Sequence, residues 1–150
     1  MGKKRVIKQT EEEILKEKEK IDKKVQKESE IKAPQELRKG KIFISSTYNN
    51  TIISLTDEQG NVLVWKSAGN LGFKGTRKGT SFAASQVAQA LSTVASKFKI
   101  REVDVFVKGI GGGRNTALKT LVNQGLDVVS IRDITPIPHN GCRPKKPRRV

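Results

Sequence analysis

The stretch Val103-Asp104-Val105-Phe106-Val107-Lys108-Gly109-Ile110-Gly111-Gly112-Gly113-Arg114-Asn115-Thr116-Ala117-Leu118 decides the fold. Val103, Val105 and Val107 alternate at period two, with Phe106 between them, so the segment predicts a strand covered on both faces. Gly109 to Gly113 then breaks the strand with a glycine loop. Ala117, Leu118, Leu121 and Val122 follow at helical spacing and predict a short helix that Gly125 can terminate. Strand, loop and helix in that order form one unit of an α/β fold.

Reading outward, Leu126-Asp127-Val128-Val129-Ser130-Ile131 predicts the last strand. Upstream, Ala84, Val87, Ala88, Leu91, Val94, Ala95 and Phe98 recur every three or four residues. This predicts a helix laid on a sheet, capped by Thr80 or Ser81. A loop from Ser67 to Thr80 precedes it and holds four glycines and three cations. Before that loop, Ile42 to Thr47, Thr51 to Thr56 and Val62 to Trp65 are three β-rich runs. Asn49-Asn50 and the turn Asp57 to Asn61 separate them. The expected order is βββαβαβ, an α/β fold with a mixed five-stranded sheet and helices on its faces.

Residues 41–134 form this core, preceded by a charged extension over 1–40 and followed by a basic tail over 135–150. In the extension, Thr10 with Glu13 has capping-box spacing, and Glu12 with Lys16 and Glu19 with Lys23 are favourable helical pairs. Its apolar residues are too sparse for a core-facing stripe, so a solvated, partly helical or disordered segment is expected. The tail carries four prolines, five cations and no carboxylate. Proline removes a donor and fixes φ, so the tail is an extended, semi-rigid, cationic arm.

The whole chain has 150 residues, with 30 Lys and Arg against 15 Asp and Glu, a net charge of +15. Such a surplus calls for a polyanionic partner, and nucleic acid fits better than an acidic membrane surface. No apolar run is long enough to span a bilayer, and Met1-Gly2-Lys3-Lys4-Arg5 lacks the apolar stretch of a secretory signal. The single cysteine fits a reducing cytosol.

Both glycine loops lead from a strand to a helix N-terminus, where unpaired N–H groups and the helix dipole favour anions. The first adds Lys74, Arg77 and Lys78 around Gly72, Gly75 and Gly79. The second adds Arg114 directly after Gly111-Gly112-Gly113. Glycine would let a phosphate approach the main chain, and the cations would grip it.

A nucleotide-dependent enzyme is the rival reading. Gly109 to Arg114 has the strand–loop–helix setting of a dinucleotide fingerprint but places Arg114 where the third glycine belongs. His139 and Cys142, the only His and Cys, are too few for a zinc site. No catalytic set, metal site or cofactor is expected. A basic DNA-compacting protein is a third reading. Among the aromatics, Tyr48 and Trp65 end strands and are expected as half-buried packing residues, while Phe73 at a loop tip is the candidate for base stacking.

The tail residues Thr135-Pro136-Ile137-Pro138-His139-Asn140-Gly141-Cys142-Arg143-Pro144 resemble the C-terminal signature of the family of bacterial-type small-subunit ribosomal protein eleven. Agreement continues through Ala68-Gly69, Gly72-Phe73-Lys74-Gly75, Arg77-Lys78, Phe82-Ala83-Ala84, Val107-Lys108-Gly109 and Gly113-Arg114. The resemblance implies a ribonuclease-H-like core without nuclease activity, cytoplasmic and within the ribosome. It implies a place on the small-subunit platform, bridging helices of the 16S-type rRNA beside the cleft that holds the messenger leader paired with the rRNA 3′ end. Ribosomal proteins seven and eighteen would be neighbours, and initiation factor three would bind nearby. The expected RNA-binding residues are Gly72, Lys74, Gly75, Arg77, Lys78, Gly111, Gly112, Gly113, Arg114, His139, Asn140, Gly141, Arg143, Lys145, Lys146, Arg148 and Arg149. The chain departs from the family at Ile110-Gly111-Gly112-Gly113, where members carry Pro-Gly-Pro-Gly, and at Gly79 and Ser81.

Overall fold

A computed structural model describes residues 37–143 and 145–146. Residues 1–36 of the charged extension, with its capping box, and Arg148 and Arg149 of the tail lie outside the described residues. Five strands form one sheet: β1 (Lys39–Ser46), β2 (Thr51–Thr56), β3 (Val62–Ser67), β4 (Glu102–Lys108) and β5 (Asp127–Asp133). Two helices, α1 (Ser81–Lys97) and α2 (Gly113–Asn123), complete the core. The order βββαβαβ is as expected. Within the first loop, Gly75–Gly79 form a 3-10 helix that periodicity did not announce.

The sheet order is β3-β2-β1-β4-β5. β2 is antiparallel to both β1 and β3, whereas β1 with β4 and β4 with β5 are parallel. Four strands therefore run one way and β2 alone runs back. Parallel strands need a crossover, and right-handed crossovers are nearly universal. The two crossovers, β3–α1–β4 and β4–α2–β5, advance in the same direction along the sheet and so place both helices on one face.

This corrects the expectation of helices on both faces and of a doubly covered β4. Ile42, Ile44, Ile53, Leu55, Val103 and Val105, aligned across the strands, are fully or almost fully buried beneath the helices. Ala84, Val87, Ala88, Leu91 and Ala95 of α1 meet them with no exposure. Alternation sends Phe43, Ser54, Trp65, Phe106 and Arg132 to the other face, which no element covers among the described residues.

Local chemistry fixes the ends of the elements. The Thr80 side chain accepts a hydrogen bond from the Ala83 amide at 3.2 Å and caps α1. Gly125 follows α2 at φ 83°, the left-handed backbone that lets the chain turn into β5. At the start of β1, Lys39 pairs with Glu102 at 3.1 Å, and the Leu37 amide donates to the Phe98 carbonyl at 3.1 Å.

Candidate nucleic-acid interface

Strand direction assembles the site. Because β1, β3, β4 and β5 all point the same way, their carboxyl ends share one edge of the sheet. The β1–β2 turn, the loop after β3, the loop after β4 and the tail after β5 all leave from that edge. The sheet thus brings together three basic segments that are far apart in sequence.

The same topology sorts the carboxylates. Residues 42–150 contain Asp57, Glu58, Glu102, Asp104, Asp127 and Asp133. Asp57 and Glu58 lie in the β2–β3 turn, and Glu102 and Asp127 begin their strands, so these four occupy the opposite edge. Asp104 lies along β4. Among the described residues only Asp133 sits at the loop edge, and it is ion-paired with Arg114. Lys74, Arg77, Lys108, Arg143, Lys145 and Lys146 are exposed there, with Lys78 half-buried. An edge so depleted of free negative charge attracts polyanions.

In the first loop, Gly72 (φ 99°) and Gly75 (φ 57°) adopt left-handed backbone with nothing within 4 Å of a Cβ built on either, so both face open space. The 3-10 helix carries Arg77 and Lys78 outward. Gly79 serves packing instead, since its Cβ would lie 2.1 Å from the Tyr48 carbonyl oxygen.

The second loop revises the reason for its glycines. They were expected to admit phosphate, but the space beside most of them is already filled by the end of β1, the turn after it and the start of β2. A Cβ on Gly109 would meet the Ser46 carbonyl oxygen at 2.2 Å. On Gly111 it would meet that of Thr47 at 2.3 Å, and on Gly113 the Thr51 hydroxyl at 2.6 Å. The Gly111 amide donates to the Ser46 carbonyl at 3.0 Å, pinning the loop to the end of β1. Gly112 is the open one: it is exposed, and its nearest neighbour would be Ser81 Oγ at 4.0 Å. Ser81 Oγ donates to the Gly112 carbonyl at 3.3 Å and joins the two loops.

Arg114 turns inward. Its guanidinium donates to the Gly109 carbonyl at 2.5 Å and to the Asp133 carboxylate. Thr135 completes the arrangement: its hydroxyl donates to Asp133 Oδ1 at 2.6 Å and accepts from the Gly109 amide at 3.1 Å. The Thr135 hydroxyl, then Arg114, then the Thr135 amide hold the Asp133 carboxyl down to about 2. Sequence reading did not single out Asp133. A lone carboxylate in a cationic region, two residues before a threonine, was the available signal.

Beyond Thr135 the described tail has no helix or strand, and His139, Asn140, Gly141 and Arg143 are exposed. Asn140 adopts φ 55°, giving the arm a bend. The aromatics differ from expectation. Tyr48 and Trp65 are 75% and 55% exposed, because one lies in the β1–β2 turn and the other on the uncovered face. Phe73 is half-buried against the core, edge-to-face with Phe82 at 6.0 Å, and Phe82 is the ring that stands out.

Comparison with known proteins places this arrangement. Residues 40–149 match a family described as "Ribosomal protein S11". A relative in Treponema pallidum strain Nichols, "Small ribosomal subunit protein uS11", is 55% identical over 119 residues, covering 79% of this chain and 94% of its own length. The protein of that name in Nautilia profundicola is 50% identical over 128 residues, covering 85% of this chain and 97% of its own. The tail, the glycine loops and the α/β core thus fall within one continuous match, and the chain belongs to the ribosomal protein S11 family.

Proposed function

We propose that this protein is a structural, non-catalytic component of the small ribosomal subunit that binds rRNA through the loop edge of its sheet. The observation that carries this reading is the convergence there of both glycine loops and the tail. Among the described residues the cations there are exposed, Lys78 half-buried, and the one carboxylate is already paired. Lys74, Arg77 and Lys78 contact phosphates from the first loop, with Gly72 and Gly75 admitting the backbone. Gly112 offers the open approach in the second. The tail, through His139, Arg143, Lys145, Lys146, Arg148 and Arg149, threads between RNA helices and neutralises charge where they crowd. The strand order β3-β2-β1-β4-β5 with β2 alone reversed supports a ribonuclease-H-like core used here as scaffold.

By family membership, we place the protein on the platform of the subunit in the cytoplasm, bridging rRNA helices beside the cleft for the messenger leader. Ribosomal proteins seven and eighteen flank it there, and initiation factor three binds nearby.

The test is binding of the full chain to small-subunit rRNA fragments across a salt series. Each neutralised phosphate contributes a slope of about −0.9 in log affinity against log salt on duplex, so a handful of contacts gives steep dependence. Replacing Arg143, Lys145, Lys146, Arg148 and Arg149 by Ala should impair incorporation into subunits while the melting temperature holds. Salt-independent binding, or unchanged incorporation, would refute the respective part.

A further inference from the structure

Register across the uncovered face places one side chain from each strand in a single lateral row. Trp65 pairs with Ser54, Ser54 with Phe43, Phe43 with Phe106, and Phe106 with Arg132. The row reads ring, hydroxyl, ring, ring, guanidinium. Phe43 and Phe106 are neighbours and stack at 4.9 Å between centroids with 14° between planes, so no space remains between them. Arg132 covers the outer side of Phe106 at 5.9 Å. The other side of Phe43 is different. There the next side chain is the small Ser54, and the next ring, Trp65, is one strand further on.

Two strand spacings separate the backbones of Phe43 and Trp65 by roughly 9–10 Å. One planar ring in van der Waals contact on both sides needs about 7–8 Å. That spacing is wide enough for one flat group above Ser54, with Trp65, 55% exposed, on the strand beyond. The charges around the row choose the occupant. Lys41, Lys108 and Arg132 share this face, and its carboxylates among the described residues gather at the end away from the loops: Glu102 is paired with Lys39, Asp127 lies opposite Glu102, Asp104 accepts from Ser130 Oγ at 2.5 Å, and Lys41 Nζ donates to the Glu58 carbonyl at 2.6 Å. Beyond the row toward the loops stands Lys108, with no carboxylate beside it on this face. A flat group attached to negative charge fits best.

We infer that the slot between Phe43 and Trp65 receives an unpaired RNA base stacked over Ser54, its phosphates lying toward Lys108. The inference rests on the proposed rRNA binding and adds to it a second contact surface, separate from the loop edge. It gives the protein a stacking contact with a single-stranded nucleotide besides its grip on the backbone.

Trp65 is the only tryptophan, so its emission reports the slot directly. The full chain is titrated with single-stranded hexaadenylate and, separately, with a blunt A-form duplex. Binding of a labelled rRNA fragment is followed in parallel by anisotropy. Hexaadenylate should quench Trp65 saturably, and the duplex should not. Trp65→Leu should weaken hexaadenylate binding about 5- to 150-fold. Ser54→Leu, which fills the floor while keeping Trp65, should abolish the quenching but leave fragment binding and its salt slope in place. Circular dichroism checks that each variant folds, and the wild-type titration stands without them. If the fragment binds with its expected salt dependence while Trp65 stays unquenched by hexaadenylate, the slot assignment is wrong and the loop-edge reading stands. If neither RNA binds, the proposed function itself falls. Emission that changes only when another ribosomal protein is added would assign the slot to a protein side chain and overturn the nucleotide.

Discussion

Arg114, at the start of α2, donates to the carboxylate of Asp133 at the end of β5, and this pair ties the second glycine loop to the origin of the tail. The Thr135 hydroxyl bridges Asp133 and the Gly109 amide, so the departure point of the arm is held from three sides. An extended arm with a fixed root reaches a smaller volume, which reduces the ordering cost when RNA captures it. Arg114 acts here as a positioning residue, because its guanidinium is engaged within the protein.

The first prediction concerns pH. Asp133 is held down to about 2, first by the Thr135 hydroxyl and then by Arg114. A depressed carboxyl favours the folded arrangement fully above the ordinary value of about 4, and that contribution fades as pH falls through about 2. The latch should therefore stay closed throughout the neutral and mildly acidic range. Thr135→Val should raise the Asp133 midpoint toward the ordinary value, as read by carboxyl carbon NMR. A midpoint that does not move would remove Thr135 from the latch.

The glycines of the second loop should separate by role. Gly111→Ala and Gly113→Ala place a Cβ against the Thr47 carbonyl or the Thr51 hydroxyl and should cost about 1–3 kcal/mol in denaturant unfolding. Gly112→Ala meets nothing closer than 4.0 Å and should leave stability nearly unchanged. Equal losses at all three positions would contradict the packing described.

At the start of α1, the Thr80 side chain satisfies the Ala83 amide and also donates to the Arg77 carbonyl at 2.8 Å. Thr80→Ala should cost about 0.5–2 kcal/mol by chemical denaturation. It should also loosen the 3-10 helix that presents Arg77 and Lys78. Thr80→Ser, which retains the hydroxyl, should recover most of both effects.

What could be read from the sequence was what neighbours in the chain decide. The α1 stripe from Ala84 to Phe98, the Thr80 cap and the stop at Gly125 depend on residues a turn apart, and each appears where periodicity placed it. The purpose of Gly111 depends on the Thr47 carbonyl, which strand pairing brings to it from another part of the chain. The bare face follows from strand order, and βββαβαβ alone does not dictate that both crossovers advance the same way. Trp65 was misjudged for this reason: alternation places it opposite the core, but only the topology leaves that side uncovered. The cationic residues of the site were legible because charge is visible without structure. The inward turn of Arg114 was not, because its partner Asp133 arrives from the end of a different strand.

The last prediction separates the first loop from the rest of the interface. Lys74 and Arg77 are exposed and Lys78 half-buried on a loop that contains no carboxylate, so a phosphate can approach them. Replacing the three by Ala removes cations without touching the buried stripe of α1 or the Thr80 cap, and the melting temperature should hold within a few degrees. If each cation meets one phosphate, the salt slope for rRNA binding should shrink by about 2–3 in magnitude. The quenching of Trp65 by hexaadenylate should persist, since that row lies on the face of the sheet and not at its loop edge. A variant that keeps the full salt slope would show that the tail alone carries the phosphate contacts, and that the first loop is shaped to hold the turn after β1 through Gly79 against Tyr48.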